Sequence, residues 1–410
     1  MQFDTKFWIK FSLINLSLVA LLGLIMRYKI GFEFPHFNQK NIQHSHSHFA
    51  FAGWISHTLM VLMISFLNSK VFINSKKYIT LLVLNLICSY GMLLSFFING
   101  YTTLSIVFST LSILVAYVFA IYFYNDLKRV DSRDLSKNWF KMALFFNILS
   151  SLGTFFLAYM MISKNIHQDE YLASIYYYLH FQYNGWFFFA SMGLLFSFLN
   201  LSDTTGSFIR SASKLFFFAC IPAYILSILW WKNLSSWLYF LSLIAAFVQV
   251  YAWFRLLIII MKTKLDFIKN QPVFLRYILG FIAIATSVKF FLQLGSTIPA
   301  LSQLAFGFRP IVIAYLHLVL LAIISLFLLF YIYANHIFYM HNKLKFGIIL
   351  FTIGIFLNEF ALAVQGVAAF SYTLIPYINE ILFGIAGILL LGISITTYYS
   401  IKKVKISPIL

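Results

Sequence analysis

Long apolar segments alternate with short polar ones along the whole chain. Most of the apolar segments are about 20 residues long, which is the length that an α-helix needs to cross a hydrocarbon layer of ~30 Å. Helices satisfy every backbone polar group within the segment, so segments of this length indicate transmembrane helices. The pattern predicts twelve spans, at 7-27, 44-67, 78-99, 102-125, 139-163, 172-199, 212-231, 235-261, 273-295, 309-335, 346-369 and 377-400.

The composition agrees with this pattern. Hydrophobic residues make up 62% of the chain and charged residues only 10%, and the mean hydropathy is +0.89. The short loops between the predicted spans leave no room for a soluble domain. We therefore expect an all-α polytopic protein of the cell membrane, with residues 1-410 forming a single transmembrane domain in the lipid bilayer.

The net charge of +18 changes the picture only through its distribution. Basic residues are spread over short loops rather than gathered on one face, so nucleic acid is not an expected partner. Most of them lie at the N-terminus, at the C-terminus and in loops that follow even-numbered spans, which the positive-inside rule assigns to the cytoplasm. They are Lys6, Lys70, Lys76, Lys77, Lys128, Arg129, Arg133, Lys137, Arg210, Lys262, Lys264, Lys269, Lys343, Lys345, Lys402, Lys403 and Lys405.

The opposite loops carry few basic residues, namely Arg27, Lys29, Lys40, Lys164, Lys232 and Arg309. Both termini are therefore predicted to be cytoplasmic, as an even number of spans also requires. This topology defines an outer end of the bundle, where spans two, six and ten begin.

Histidines are the main candidate for chemistry. Span two carries four of the ten, and spans six and ten carry one each about eight residues from their outer ends, roughly 12 Å deep. Imidazole is costly to bury in hydrocarbon, and it is the most versatile neutral metal ligand in proteins. We therefore expect a ligand or a proton at this level. The residues concerned are His44, His46, His48, His57, His180 and His317.

Spacing divides the histidines of span two. His44 and His48 are an i, i+4 pair that could grip one metal ion on the outer side, and His180 is a further candidate metal ligand. His57 lies nine residues beyond His48, which puts it on the opposite face of a straight α-helix. Hydrated histidines at a helix mouth, and histidines hydrogen-bonded by a neighbouring helix, are the alternatives.

Twelve spans with histidines on the outer halves of spans two, six and ten resemble subunit I of the haem-copper oxidase and nitric oxide reductase superfamily, and the chain looks like a divergent member. Residues 178-188 are similar to the span-six stretch of oxidases that use c-type donors, and residues 46-54 resemble the family's haem-ligand helices. The resemblance implies a low-spin haem between His317 and either His46 or His48. It also implies that His180 faces a non-haem metal.

The chain departs from the family at two places. The family has adjacent histidines at or after span seven, where residues 223-232 contain none, and a His-x-His on span ten, where this chain has Tyr315-Leu316-His317. The resemblance therefore implies a haem protein without a complete binuclear reductase centre, acting in electron transfer, sensing or assembly. An incomplete oxidoreductase of this type would use an electron-donor protein or partner subunits, and a second metal is left open.

A membrane transporter or an ion or proton channel is the alternative function. Lys289 in span nine and Glu359 in span eleven lie deep in apolar segments. Ionisable groups at such depth often mark a proton or ion path. The two would form a natural pair, and a purely structural ion pair that locks helix packing is the competing interpretation.

Overall fold

The computed structural model describes residues 3–32, 34–201, 203–231 and 234–402. Within these ranges there are twelve long helices and no strand. Helices α1 to α12 span Thr5–Gly31, Gln39–Lys70, Ser75–Asn99, Thr103–Leu127, Ser136–Ser163, 168–199, Asp203–Ala223, Ser236–Lys269, Val273–Gly295, Arg309–Ala334, Asn342–Phe370 and Ile378–Ile401. A 3₁₀ turn, Tyr224–Ile228, continues α7, and a short helix, Pro299–Gly307, precedes α10. Lys232, Lys403 and Lys405, counted above with the loop charges, lie outside the described residues.

Eleven of the helices in the described ranges are long and apolar enough to cross a membrane. This confirms the all-α, multi-pass membrane class. The exception is α6, whose hydropathy is lowered by His180, Gln182 and Asn184. All three side chains are buried. They therefore contact other helices rather than lipid, which lowers the cost of placing polar groups in a membrane-spanning helix. The assignment of α6 as a twelfth span remains our prediction.

The helices extend past the predicted spans at their polar ends. Helix α2 begins at Gln39 instead of residue 44, because the side chain of Asn38 accepts hydrogen bonds from the amides of Lys40 and Asn41. Helix α8 runs to Lys269 instead of residue 261. The hydropathy of the sequence falls at the edge of the lipid layer, whereas the backbone hydrogen bonds of a helix continue into the water-facing segments.

The order of the helices around the bundle follows the chain. Each helix packs against its neighbours in the chain, and α1 packs against α12. Helices α2, α6 and α10 also meet in the middle, through contacts of α6 with α2 and with α10. The three helices that carry the outer histidines therefore form the core of the bundle.

A buried carboxylate joins α3, α4 and the loop after α4 at the end opposite the histidines, which we call the inner end. Asp126 of α4 accepts from the Tyr78 hydroxyl of α3 at 2.6 Å and pairs with Lys77 at 2.7 Å and Arg129 at 2.6 Å. The Asp126 side chain is only 8% exposed, so its charge depends on these donors rather than on water.

The Asp126→Asn variant is expected to lower the free energy of unfolding by about 3 kcal/mol, because the two cations lose their shared counter-charge next to apolar surface. Denaturant titration of the purified protein in mild detergent measures this. Asp131→Asn is the matched control, since Asp131 is exposed in the loop that follows α4 and should change stability little. Equal effects of the two substitutions would contradict this role for Asp126.

Candidate functional site

Each central helix departs from α-helical geometry just beyond its outer histidine. The π-helical segments are Ala50–Ser56 in α2, Phe181–Phe187 in α6 and Leu318–Ser325 in α10. They begin within two residues of His48, His180 and His317. π-helical turns are rare and occur frequently at functional sites. Their repetition at one level of three packed helices marks this level as the candidate site.

Side chains from neighbouring helices support the π-helical segment of α2. Its i→i+5 pattern changes which carbonyls have backbone partners, and buried carbonyls need a donor. Asn15 of α1 donates to the Gly53 carbonyl at 2.6 Å, and Asn85 of α3 donates to the Ala52 carbonyl at 3.2 Å. The Tyr90 hydroxyl in turn donates to the Asn15 side chain at 2.7 Å. The segment is therefore held in place from two sides.

A short repeat accompanies two of these segments. The residues His-Phe-x-x-x-Gly-Trp occur at 48–54 in α2 and again at 180–186 in α6. Both glycines lie in close contact, since a Cβ on Gly53 would come within 2.7 Å of Phe49 and one on Gly185 within 2.5 Å of Phe146. The repeat is a sequence signal that the span analysis missed.

The two tryptophans of the repeat link the central helices. Trp54 of α2 donates to the Ser325 hydroxyl of α10 at 2.8 Å. Trp186 of α6 donates to the Ser56 hydroxyl of α2 at 3.2 Å. Ser56 and Ser325 each lie eight positions after the outer histidine of their own helix, His48 and His317. Equivalent tryptophan-to-serine hydrogen bonds thus join α6 to α2 and α2 to α10.

His46 of α2 and His317 of α10 lie within electrostatic range of each other. Nδ1 of His46 lies 3.1 Å from the Val19 carbonyl of α1, and Nδ1 of His317 lies 2.9 Å from the Ile313 carbonyl. A carbonyl only accepts, so each Nδ1 carries the proton and each Nε2 keeps its lone pair. Neither Nε2 has a hydrogen-bond partner in the described part of the chain, and both rings are half-buried.

Two arginines lie at the same end of the bundle, Arg27 within electrostatic range of both histidines and Arg309 near Arg27, and sequence reasoning did not single them out. Arg27 of α1 interacts electrostatically with His46, His317 and Arg309. Arg309, the first residue of α10, donates to the Gln43 side chain at 3.0 Å. Within the described ranges neither guanidinium pairs with a carboxylate. Two like charges held together near apolar surface create a strong preference for an anion.

The rings of His44 and His48 lie against α3 and Tyr101 instead. The His48 ring stacks on Phe96 with ring centres 4.3 Å apart, and its Nε2 lies 3.2 Å from the Tyr101 hydroxyl. The His44 ring meets the edge of Tyr101 at 4.6 Å. The i, i+4 pair therefore shares one tyrosine, as the common helix face predicted. Metal binding by His44 and His48 remains a prediction.

His57 does not lie opposite His48, so that expectation was wrong. Its Nδ1 accepts from Asn85 of α3 at 3.4 Å, and the His48 ring packs on Phe96 of the same helix. The π-helical segment between them contributes an extra residue, which turns the following side chains by about 100° relative to a straight α-helix. Both histidines consequently contact α3.

His180 is fully hydrogen-bonded within the protein. Its Nε2 donates to the Cys220 carbonyl of α7 at 2.9 Å, and its Nδ1 accepts from the Asn184 amide at 3.1 Å. Cys220 lies in the last turn of α7, where carbonyls lack an intrahelical partner. His180 satisfies this carbonyl, and binding a metal through Nε2 would break that bond.

Lys289 and Glu359 lie in different surroundings. Nζ of Lys289 is 3.9 Å from the ring centre of Phe290, in a small enclosed pocket that Asn184, Cys220 and Gln249 also line. Glu359 accepts from the Asn358 amide at 3.2 Å. The described residues contain no ion pair between Lys289 and Glu359, so the expected pairing does not occur here.

The side-chain oxygens of Asn184 and Gln249 have no hydrogen-bond partner in the described residues. The orientation of Asn184 follows from its neighbours, because the Cys220 carbonyl forces the proton of His180 onto Nε2 and Nδ1 must then accept from the Asn184 amide. The Asn184 oxygen and the Lys289 amine therefore border one pocket with unused hydrogen-bonding capacity.

No protein-family model matches the chain, and no curated protein is significantly similar to it.

Proposed function

We propose that the chain is a haem-binding, multi-pass membrane protein of the haem-copper oxidase subunit I type, in which His46 and His317 would hold one haem. The observation that carries this proposal is that each of these two imidazoles is held at Nδ1 by a backbone carbonyl and has no hydrogen-bond partner at Nε2 among the described residues. A metal-binding histidine usually donates the proton of its other ring nitrogen to a carbonyl or a carboxylate. Two such ligands suit a six-coordinate haem iron.

The residues near His46 and His317 also fit the propionates of a haem. Haem is a flat apolar ring with two propionates on one edge, and Arg27 and Arg309 offer two guanidinium groups without carboxylate partners. Both arginines lie toward the outer end of the bundle and would hold the propionates there. Bound haem would supply one-electron transfer. The chain's own contribution is to hold the iron, neutralise the propionates and keep the ring in an apolar surrounding.

The residues available for a second centre argue against complete reductase chemistry. His180 is engaged with the Cys220 carbonyl, and the Tyr315 ring packs edge-to-face against Tyr183 with ring centres 6.1 Å apart. We therefore infer electron transfer, sensing or assembly as the role, with an electron-donor protein or partner subunits. The proposed setting is the cell membrane, with twelve spans and both termini in the cytoplasm.

An absorption spectrum of the protein purified from haem-replete cells tests this function. We expect a Soret band, sharp visible bands on reduction with dithionite, and one haem per chain by extraction. A colourless protein that takes up no added haemin would contradict the proposal.

A transporter or channel is the second candidate, favoured by one observation. Lys289 is buried beside the unpartnered oxygens of Asn184 and Gln249, and Glu359 lies in an apolar helix with Asn358 as its hydrogen-bond partner. Ionisable groups at such depth often mark a proton or ion path. Glu359→Gln should then abolish uptake in proteoliposomes. Glu380→Gln is the matched control because Glu380 is exposed at the start of α12. Unchanged uptake in Glu359→Gln would count against this function.

A further inference from the structure

Helices α11 and α12 are in close contact along most of their length and separate at the inner end. A Cβ on Gly392 would lie 2.5 Å from the Phe351 amide nitrogen, and one on Gly347 would lie 2.7 Å from the Thr396 hydroxyl. One turn closer to the inner end, larger side chains replace the glycines and a groove of about 380 Å³ opens. Its lining residues are Asn342, Lys343, Phe346, Ile395 and Tyr399.

The rim of this groove is cationic. Nζ of Lys343 lies 5.6 Å from the ring centre of Tyr399. The groove also borders the first turn of α11. There, Nδ1 of His341 accepts a hydrogen bond from the Leu344 amide at 3.4 Å, and the His341 carbonyl accepts one from the Lys345 amide at 2.9 Å. The amides of Asn342 and Lys343 have no such acceptor among the described residues, and both belong to the positive end of the helix dipole.

The cations near the groove are not neutralised by the protein. In the described ranges the three ion pairs all involve other residues. Lys402, at the end of α12, donates to the Tyr398 hydroxyl at 3.2 Å, and Nζ of Lys345 lies 5.4 Å from the ring centre of Phe274 on α9. Lys343, on the groove itself, is therefore available to an anion from outside the chain.

The wall of the groove is apolar and faces the surrounding lipid. Phe346 is 57% exposed, and Ile395 lies opposite on α12. Farther toward the middle of the bundle, Ile353 and Leu391 continue an exposed apolar surface on the same two helices. The site thus combines a cationic rim with an apolar wall, which an acyl chain can follow and a small soluble anion cannot use.

We propose that this groove binds an anionic phospholipid of the inner leaflet. The phosphate contacts Lys343 and the first amides of α11, and an acyl chain lies along Phe346 and Ile395. Helix N-termini and lysines recognise phosphate, and juxtamembrane cations attract anionic lipids at the cytoplasmic surface. A free phosphate shares the headgroup chemistry, but it would leave the apolar wall unused. The proposal does not depend on haem binding.

Native mass spectrometry of the purified protein in a neutral detergent tests the proposal, with phosphatidylglycerol, phosphatidylcholine and soluble glycerol phosphate as probes. We expect one phosphatidylglycerol to be retained in preference to phosphatidylcholine, and glycerol phosphate to bind far more weakly. Lys343→Gln should weaken phosphatidylglycerol retention about fivefold, since one juxtamembrane lysine contributes about 1 kcal/mol.

Lys345→Gln is the matched control, because its amine lies over Phe274 and not in the groove. Phe346→Ala should weaken phosphatidylglycerol but not glycerol phosphate. Thermal unfolding of each variant verifies that it is folded. Equal losses in the two lysine variants would overturn the site. Equal binding of glycerol phosphate and phosphatidylglycerol, or no preference over phosphatidylcholine, would overturn the lipid.

Discussion

His317→Ala is expected to remove the bound haem, with loss of the Soret band and of nearly all extractable haem. His317 would supply one of two axial bonds, and its Nδ1 is held at 2.9 Å by the Ile313 carbonyl so that Nε2 stays free for the iron. The absorbance ratio of the Soret band to the protein band, measured on purified variants, gives the size of the loss. Added imidazole should restore part of the band by replacing the missing ligand.

The partner of His317 is tested by a matched pair on α2. His46→Ala should behave like His317→Ala, whereas His48→Ala should keep its haem, because the His48 ring stacks on Phe96 and its Nε2 contacts Tyr101. His180→Ala should also keep haem but unfold more easily, since the Cys220 carbonyl loses its donor. Haem loss in His48→Ala with retention in His46→Ala would refute the assigned pair.

The double variant Arg27→Gln, Arg309→Gln should still bind haem but release it faster. A hydrogen bond to a charged group contributes about 1.5–3 kcal/mol, so loss of one such bond corresponds to roughly tenfold to hundredfold faster release. The rate of haem transfer to excess apomyoglobin measures this change, and the spectrum should remain six-coordinate because both histidines are intact.

Lys29→Gln is the control for the arginine variant. Lys29 lies two residues beyond Arg27 on α1, and its amine donates to the Phe34 carbonyl at 2.5 Å. Compared with the single variant Arg27→Gln, Lys29→Gln alters the local charge equally but removes no guanidinium group. If Lys29→Gln accelerated release as much as Arg27→Gln, a general electrostatic effect rather than propionate binding would explain the result.

The depth of the histidines along their helices was predictable from the sequence, but the directions in which their side chains point were not. Counting residues from the outer end predicts His48, His180 and His317 at similar levels, and all three lie within two residues of the π-helical segments. Helix angle depends on each intervening turn, and apolar segments do not reveal a change from α- to π-helical bonding. The position of His57 was wrong for this reason.

The sequence also did not predict which side chains of different helices contact each other. Lys289 and Glu359 looked like a natural pair because they are isolated ionisable groups in neighbouring apolar segments. In the bundle, Lys289 borders the pocket of Asn184 and Cys220, whereas Glu359 contacts Asn358. Hydropathy reports that a residue is buried but not which neighbouring helix it faces.

Two sequence signals would have improved the prediction. The repeat His-Phe-x-x-x-Gly-Trp is visible at 48–54 and 180–186, and it would have identified α2 and α6 as equivalent helices. Arg27 and Arg309 are the only arginines on the outer side, where basic residues are sparse. An isolated cation near the membrane indicates a partner for its charge, so both arginines are candidate site residues together with the histidines.

The π-helical segments make chain length, rather than side-chain identity, a determinant of the core. Each contributes a residue that a regular α-helix would not need, so the two halves of a central helix are offset by about 100°. Deleting one residue within Ala50–Ser56 would allow α2 to rewind without disturbing His46. The half beyond the deletion would then turn away from Asn85, carrying His57 with it. Single-residue deletions there should therefore be less tolerated than most substitutions.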